Sequence, residues 1–235
     1  MSAPQDKPWS QIHEMLERRD SVNEIESLLD DLDPAELLHA VFSLAPDDQR
    51  ALLSILSPEK AASLIEDLPD AHVADLIEEM PATSSAPIVE EMASNHRVDV
   101  LAELDAADAE AIIAELDEED ANEVRELINY PSDQAGGLMM KEFAAYPMAR
   151  SVREVVEEIT ADTFDYEFLT VHYINVVVKK KKLKGVIRLR DLVFAVPNQT
   201  IGSIAKPALT VSPETNLEDL EQFFDDHDIA AVPVV

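Results

Sequence analysis

A repeat of twelve residues is the feature that most limits how this chain can fold. When residues 33–128 are written in rows of twelve, the eighth and the last position of every row are apolar. The rows are DPAELLHAVFSL, APDDQRALLSIL, SPEKAASLIEDL, PDAHVADLIEEM, PATSSAPIVEEM, ASNHRVDVLAEL, DAADAEAIIAEL and DEEDANEVRELI. Apolar positions three and four residues apart indicate one buried helix face in each row.

The rows cannot form a single long helix. Twelve residues at about 100° each carry a continuous helix about 120° past three full circles, so the apolar stripe would change face with every row. Row starts such as Pro34, Ser57 and Asp117 are typical of helix N-termini. Each row is therefore predicted to be a short helix and a turn. Such units cannot bury their apolar faces alone, so they should stack into an all-α superhelical array that begins with helices in residues 9–30.

Charge divides the chain unevenly. Acidic residues number 49 and basic residues 18, for a net charge of -31. Residues 1–135 carry 34 acidic and 7 basic side chains, a net charge of -27, whereas residues 136–235 carry 15 and 11, a net charge of -4. This balance disfavours nucleic acid as a partner and favours cations. The chain has no cysteine, no phosphate-binding glycine loop and no HExxH motif, so we expect no enzyme activity.

A second repeat, with a spacing of 65 residues, follows the glycine pair at 136 and 137. FAAYPMARSVREVVEEI and PALTVSPETNLEDLEQFF each contain a short extended run, a linker and a capped amphipathic helix. An apolar strand comes after each helix, VHYINVVV in the first copy and IAAVPVV in the second. The first copy continues through KKKKLKG into another strand and helix. Two β-α-β-β-α units are predicted, of which the second is incomplete.

These segments resemble the cytosolic part of the MgtE family of magnesium transporters. An array of short acidic helices, followed by YPSDQAGGLM, SVREVVEEI, LKGVIRLRDLV and DHDIAAVPVV, is similar to a helical N domain joined to two CBS domains. The resemblance implies a multidomain fold: an all-α superhelical N domain at 1–135, then a tandem α/β CBS pair at 136–200 and 201–235. In the family a connecting helix and a transmembrane pore follow. We therefore expect either a fragment from the cytoplasmic face of the plasma membrane or a soluble relative without a pore.

The resemblance also implies a function. In the family, Mg²⁺ bridges acidic N-domain and CBS surfaces and favours a compact state that closes the pore. Mg²⁺ prefers oxygen ligands and keeps several of its waters, so one or two carboxylates at a time can hold it. The expected function is Mg²⁺ sensing by a homodimer, formed through the CBS domains and joined to a transmembrane pore domain of the same full-length chain. The alternatives are an adenine-nucleotide-sensing CBS protein without a pore and a helical scaffold for a partner protein.

Candidate metal ligands of the CBS pair lie in FFDDHDI. Asp225, Asp226 and Asp228 cluster at the end of a predicted helix, where carboxylates and a helix C-terminus concentrate negative potential. The resemblance assigns Asp226 in particular, and it adds the backbone carbonyl of Gly136. Solvated helix-end acids are the alternative for the aspartates. Gly136 and Gly137 are expected to end a helix and turn the backbone tightly, which would make Gly136 a hinge.

Candidate ligands in the N domain depart from the family pattern. Where the family has closely spaced aspartates in one helical row, this chain reads PATSSAPIVEEM. Glu90, Glu91 and Asp99 are the nearby substitutes.

ATP or AMP is the alternative ligand, because CBS pairs bind adenine nucleotides between their two units. The usual signature has a Ser or Thr three residues after a glycine and an Asp three residues further on. GVIRLRD keeps Gly185 and Asp191 but has Arg188 at the hydroxyl position. Asp191 would then accept from a ribose hydroxyl while Arg188 faced a phosphate. The other reading is that Asp191 caps the helix that follows.

Five lysines, Lys179–Lys182 and Lys184, lie between two predicted strands. This position is typical of a solvated hairpin tip that keeps other strand edges away. An anionic partner and pairing with the acidic N domain are the alternatives.

Overall fold

The chain forms two compact units, Met1–Ile128 and Asn129–Val235. The computed structural model describes residues 7–161, 172–179 and 182–235. The boundary between the units lies seven residues before the boundary at 135 that the sequence predicts. Ala135 and Gly136 belong to the second unit because their N–H groups donate to the carbonyl oxygens of Thr215 and Pro213, both at 2.8 Å.

The first unit is helical throughout its described residues. Its helices are α1 (Pro8–Arg18), α2 (Val22–Asp30), α3 (Pro34–Ser43), α4 (Pro46–Ile55), α5 (Pro58–Ile65), α6 (Asp70–Glu78), α7 (Ala82–Glu90), α8 (Ser94–Glu103), α9 (Ala106–Ile113) and α10 (Glu118–Leu127). The eight helices α3 to α10 correspond to the eight rows, which confirms the prediction of one helix per row. Three of the four predicted polar caps are present, since Asp33, Ser57 and Asp117 each accept from the backbone N–H three residues later. The fourth, Asp105, is the N-cap residue of α9 but its side chain makes no cap hydrogen bond.

Most helices of this unit pack against the next helix but one. Contacts join α3 with α5, α4 with α6, α5 with α7, α6 with α8, α7 with α9, and α8 with α10. The last residue of each row faces the core and is buried from Leu44 to Leu116. Ile128, in the last row, is 40% exposed, because no further helix of this unit follows α10.

Arg97 is the one charged side chain in the described part of the chain that is fully buried, with 4% of its surface exposed. Its Nε atom donates to the carbonyl oxygen of Val89 at 2.9 Å. Nη2 donates to the carbonyl oxygens of Glu90 at 2.6 Å and Met92 at 3.2 Å, and Nη1 pairs with the Asp120 carboxylate. A helix leaves its last four carbonyls without partners inside the helix. Arg97 therefore satisfies the C-terminal end of α7 and ties it to α10.

Gln49 occupies the same repeat position as Arg97, four rows earlier. Both residues are fifth in their rows, and Gln49 Nε2 donates to the carbonyl oxygen of Val41 at 2.7 Å. In both cases the side chain reaches the carbonyl eight residues earlier in the sequence. The fifth position of the repeat is thus close enough to cap the preceding helix when a polar residue occupies it.

The second unit mixes strands and helices. Its elements are α11 (Ala135–Leu138), β1 (Ala145–Pro147), α12 (Val152–Ile159), β2 (Tyr173–Val178), β3 (Lys182–Arg188), α13 (Leu189–Val193), α14 (Ile201–Ile204) and α15 (Leu217–His227). The sheet order is β1-β2-β3, with β1 parallel to β2 and β2 antiparallel to β3. Buried residues from all three strands and from α12, including Tyr146, Val155, Ile174 and Ile187, form its core. This is the β-α-β-β-α order predicted for the first CBS unit.

The second copy repeats the order of strand, helix and strand. Val211 and Val234 form a parallel bridge. Between them, α15 has Asn216 as its N-cap residue, whose side chain accepts from the N–H of Asp219 at 2.9 Å. An all-α domain followed by an α/β CBS pair is therefore confirmed as the fold class. Lys180 and Lys181, which belong to the predicted hairpin, lie outside the described residues. Within the described ranges, no helix has both the length and the apolar character needed to cross a membrane.

Replacing Arg97 by Ala should destabilise the helical unit. The substitution leaves Asp120 and three helix-end carbonyls without their buried donor, a change that costs about 3 kcal/mol. Urea unfolding followed by circular dichroism at 222 nm measures this loss. The matched control is Arg125→Ala, because Arg125 is half exposed and lies 3.4 Å from Glu110, and it should cost less than about 1 kcal/mol. Equal losses in the two variants would contradict the role given to Arg97.

Candidate functional site

The three predicted aspartates of the second CBS unit lie at the C-terminal end of α15. Asp225 and Asp226 are in its last turn, and Asp228 is its C-cap residue in the left-handed conformation, with a φ of 47°. All three are exposed, and Asp226 Oδ1 accepts from Gln222 Nε2 at 2.9 Å. Their carboxylates do not converge on one point in the described structure. The helix end therefore offers separate oxygen ligands to a hydrated ion rather than a closed cage.

Gly136 and Gly137 do not turn the backbone. Both lie inside α11, and no glycine in the described residues has a positive φ. A Cβ on Gly136 would lie 2.5 Å from the Tyr130 ring and 3.1 Å from the Pro213 carbonyl oxygen, and one on Gly137 would lie 2.3 Å from the Pro131 carbonyl oxygen. The prediction of a tight turn is wrong, because these positions require glycine for close packing. The role of the Gly136 carbonyl as a metal ligand stays a prediction.

Glu90 and Glu91 are at the C-terminal end of α7. Glu90 Oε1 accepts from the backbone N–H of Asp117 at 2.8 Å, so this carboxylate helps to cap the N-terminus of α10. The Glu90 carbonyl is bound by Arg97. Glu91 is the C-cap residue of α7 and is half-buried. The side chain of Glu90 therefore has a structural role that would compete with metal binding.

Asp99 is half-buried in α8. Burial raises the pKa of Asp99, and the neighbouring carboxylate of Asp70 raises it further, whereas His96 opposes this rise. His96 Nε2 lies 3.0 Å from Asp70 Oδ1. The one group of three potential metal ligands in the described residues includes none of Asp99, Glu90 and Glu91, so the structure does not assemble them into a single site.

That group consists of Glu78, Asp105 and Asp108. Glu78 ends α6, Asp105 is the N-cap residue of α9, and Asp108 lies in the first turn of α9. One carboxylate oxygen from each lies within 4.8 Å of the other two, and all three residues are exposed. No local pattern in the sequence indicates this group, because Glu78 and Asp105 are 27 positions apart with two helices between them. Only stacking of the rows brings them together.

The second unit contains a cleft of about 320 Å³ beside β3 and α15. It is lined by Tyr173, Val186, Arg188, Lys206, Pro207, Leu209, His227, Asp228, Ile229, Ala231 and Pro233. The lining therefore combines apolar side chains, two aromatic rings, two cations and Asp228. His227 stacks on Phe223 with ring centroids 4.4 Å apart, and its Nδ1 donates to the Phe223 carbonyl oxygen at 2.7 Å.

Asp191 holds the two cations of the cleft. It accepts from Arg188 Nε at 3.0 Å and Nη2 at 3.2 Å, and from Lys206 Nζ at 2.9 Å. The hydrogen bonds from Arg188 and then from Lys206 lower the pKa of Asp191 to about 2. Asp191 is not a helix cap, because α13 begins at Leu189 and its N-cap residue is Arg188. Its carboxylate instead orients Arg188 and Lys206.

Lys206 is a site residue that sequence reasoning missed. Its backbone forms a bridge with Val186, in which each N–H donates to the other residue's carbonyl at 2.9 Å. Gly185 allows this close approach, since a Cβ there would lie 2.3 Å from the Lys206 carbonyl oxygen. Lys206 lies in an irregular segment that contacts the strand through a single backbone bridge. Such a bridge produces no periodic pattern from which the sequence could predict it.

Comparisons with known proteins give consistent matches for the first half of the chain. The family described as the MgtE intracellular N domain matches residues 14–133. The magnesium transporter MgtE of Thermus thermophilus is 38% identical over 114 residues, which are 48% of this chain and 25% of that protein. The magnesium transporter MgtE of Enterococcus faecalis is 32% identical over 113 residues, 48% of this chain and 24% of that protein. The matched region is thus about a quarter of the length of these relatives.

Two solved structures are similar over almost the whole chain. One is the soluble part of a magnesium transporter, with a TM-score of 0.85 and 28% identity, covering 98% of this chain and 90% of that one. The other is the cytosolic domain of the Mg²⁺ channel MgtE in complex with ATP, with a TM-score of 0.80 and 28% identity, covering 97% of this chain and 92% of that one.

Proposed function

This chain belongs to the MgtE family, whose intracellular N domain it contains, and we propose that it is a Mg²⁺-sensing regulatory module of a magnesium transporter. The observation that carries the proposal is its similarity, over 98% of its length, to the soluble part of a magnesium transporter. In this function the module lies at the cytoplasmic face of the plasma membrane. Its partner is the transmembrane pore domain of the same full-length chain.

The proposed mechanism depends on the repulsion between acidic surfaces. Residues 1–135 carry a net charge of -27, and the stacked helices expose the carboxylates of Glu78, Asp105 and Asp108 together. The last turn of α15 exposes three more, on Asp225, Asp226 and Asp228. Hydrated Mg²⁺ that bridges the N-domain and CBS acids replaces their repulsion with attraction. The ion favours a compact, pore-closing state by the difference between its affinities for the two states.

The donor set suits Mg²⁺. Exposed carboxylates with oxygens within 4.8 Å of one another suit an ion that keeps part of its water shell. The Gly136 carbonyl, Glu91 and Asp99 are further proposed ligands. Glu90 would contribute through its second carboxylate oxygen, because Oε1 accepts from the N–H of Asp117.

Mg²⁺ should protect the chain from limited proteolysis, and Asp226→Ala should weaken that protection. Removing one carboxylate ligand should raise the Mg²⁺ midpoint roughly tenfold, which corresponds to about 1.4 kcal/mol. The measurement is the rate of cleavage as a function of Mg²⁺ concentration. Glu218→Ala is the matched control, because it removes one exposed acid from the opposite end of α15. An unchanged midpoint in Asp226→Ala would exclude Asp226 as a ligand, and no protection of the unmutated chain would exclude Mg²⁺ sensing.

Adenine-nucleotide sensing is the second candidate function, favoured by the cleft in the CBS pair. Arg188 and Lys206 give it two oriented cations suited to phosphate oxygens, while Tyr173 and His227 add rings that a base can contact. A solved relative of similar fold is described in complex with ATP. ATP and AMP are therefore the proposed ligands of this cleft.

ATP should bind to the chain, and Lys206→Ala should reduce the affinity roughly tenfold, since one charge-assisted hydrogen bond is lost. Isothermal titration calorimetry measures the dissociation constant, with AMP as a second ligand that carries fewer phosphates. Arg153→Ala is the control, because Arg153 is exposed on α12 and does not line the cleft. If Lys206→Ala and Arg153→Ala bound ATP with equal affinity, Lys206 would not be an ATP ligand. A chain that responds to neither Mg²⁺ nor nucleotide would leave the interaction scaffold as its function.

We also propose that the chain forms a homodimer through its CBS domains. At the end of α13 and just after it, Val193, Phe194 and Val196 expose 66%, 86% and 63% of their surfaces. Three large apolar side chains so close in sequence and so exposed are typical of a protein interface. A second copy that presents the same residues would bury them on a twofold axis.

Phe194→Ser should convert the dimer to a monomer, because an aromatic residue at the centre of an interface commonly contributes 2 kcal/mol or more, on the order of a 30-fold change in dissociation constant. Light scattering across a concentration series measures the molecular mass. Phe143→Ser is the matched control, since Phe143 is 54% exposed and lies outside this group. A dimer that persists in Phe194→Ser would place the interface elsewhere.

A further inference from the structure

The densest positive charge of this acidic chain lies where β2 leads to β3. Five of the 18 basic residues are within six positions, Lys179 to Lys184. The structure describes Lys179, which follows β2 directly, and Lys182 and Lys184, which lie at the start of β3. All three are exposed. We call these three residues the lysine tip.

Among the described residues, the lysine tip differs from most cations because it has no carboxylate partner within 4.0 Å. Salt bridges of 4.0 Å or less among the described residues involve Arg18, Arg50, Lys60, Arg97, Arg125, Arg150, Arg188, Arg190 and Lys206. None of these bridges includes a residue of the lysine tip. In a chain with 49 acidic residues, the described part of the fold thus leaves this basic group unpaired with its acids, and its positive potential is available to an external anion.

Protection of a sheet edge accounts for only part of this charge. Exposed lysines on an edge strand keep other strands from pairing with it, and β3 is the outer strand of its sheet. At Val186, however, a backbone bridge to Lys206 already covers the outer side of β3. The lysines of β3 precede this bridge, and Lys179 lies outside the strand altogether.

We propose that the lysine tip binds an anionic lipid surface. The proposal rests on the proposed function, which places this chain beside a membrane. Each lysine of a basic cluster raises the partition coefficient onto an anionic leaflet by about fivefold. The attraction acts over about one Debye length, roughly 8 Å at physiological ionic strength, so a bilayer needs only the tip within reach. A nucleic acid needs a longer basic face along its phosphates, which the net charge of -31 does not offer.

Co-sedimentation with lipid vesicles tests the proposal. The 235-residue chain is mixed, in EDTA and at two salt concentrations, with vesicles of phosphatidylcholine alone or of phosphatidylcholine and phosphatidylglycerol. Binding is expected only to the anionic vesicles and should weaken at higher salt. The variant Lys179→Gln, Lys182→Gln, Lys184→Gln should lower the partition coefficient roughly 100-fold, because three lysines are neutralised.

The matched control neutralises three other exposed cations, as Lys7→Gln, Arg19→Gln, Arg153→Gln. It has the same net charge as the lysine-tip variant and should bind vesicles like the unmutated chain. Thermal unfolding of each variant establishes that it is folded. Equal losses in both variants, equal binding to neutral vesicles, or no binding of the unmutated chain would each overturn the proposal. The proposal would also be overturned if the lysine tip were required for binding to a DNA duplex and the chain did not bind vesicles.

The Mg²⁺ protection assay separates this proposal from the function on which it rests. Both variants should keep the Mg²⁺ midpoint of the unmutated chain, because neither removes an acid. A chain that binds anionic vesicles through the lysine tip but shows no protection by Mg²⁺ would refute sensing alone. A chain that Mg²⁺ protects but that ignores anionic vesicles would refute the lipid contact alone.

Discussion

The helical unit depends on one constraint, which is that its helices are too short to persist alone. Helices α2 to α10 contain eight to ten residues each, fewer than an isolated helix needs in water. Each is stabilised by burying its apolar face, mainly against the next helix but one. The repeat of twelve residues sets this geometry, because twelve residues are enough for one short helix and the turn that leads the chain into the next helix. Caps and buried donors such as Arg97 then satisfy the many helix ends that short helices create.

The same constraint determines where the charge lies. Apolar residues fill most inward positions of the rows, so the acidic residues are left mainly on the outside. A net charge of -27 in residues 1–135 then makes the surface repel itself. Stacking also brings together acids that are distant in sequence, as with Glu78 and Asp105 at the facing ends of α6 and α9. The 7 basic residues of this segment can pair with only a minority of its 34 acids, which leaves carboxylates to which a divalent cation could bind. The fold and the proposed response to Mg²⁺ therefore have a common origin in the repeat.

Features that depend on periodicity could be predicted from the sequence. Features that depend on one close contact between residues distant in sequence could not. The rows predicted α3 to α10, their caps and their buried faces, and the 65-residue repeat predicted the CBS pair. The turn predicted at Gly136 is wrong because sequence does not distinguish a glycine required for packing against a ring from one required for a turn. Of the two roles that the sequence suggests for Asp191, the helix cap is wrong and the ribose contact stays a prediction. Its ion pair with Lys206 could not be predicted, because an isolated bridge brings Lys206 to this strand. The sequence predicted three acids at the end of a helix, and the structure has them at the end of α15. Their convergence on an ion depends on side-chain geometry, which residue spacing does not encode.

The segment that follows the helical array is joined to the second CBS unit by its backbone. The N–H of Leu217 donates to the Asp133 carbonyl at 3.1 Å, and those of Ala135 and Gly136 donate to Thr215 and Pro213. Leu217 is the first residue of α15, and the acids around Asp226 are at the other end of that helix. Because a helix moves as a rigid element, an ion that displaces the last turn of α15 would also displace residues 133–136. If Mg²⁺ binds as proposed, Gly136 would act as a fixed coupling point, because it is packed too closely to be a hinge.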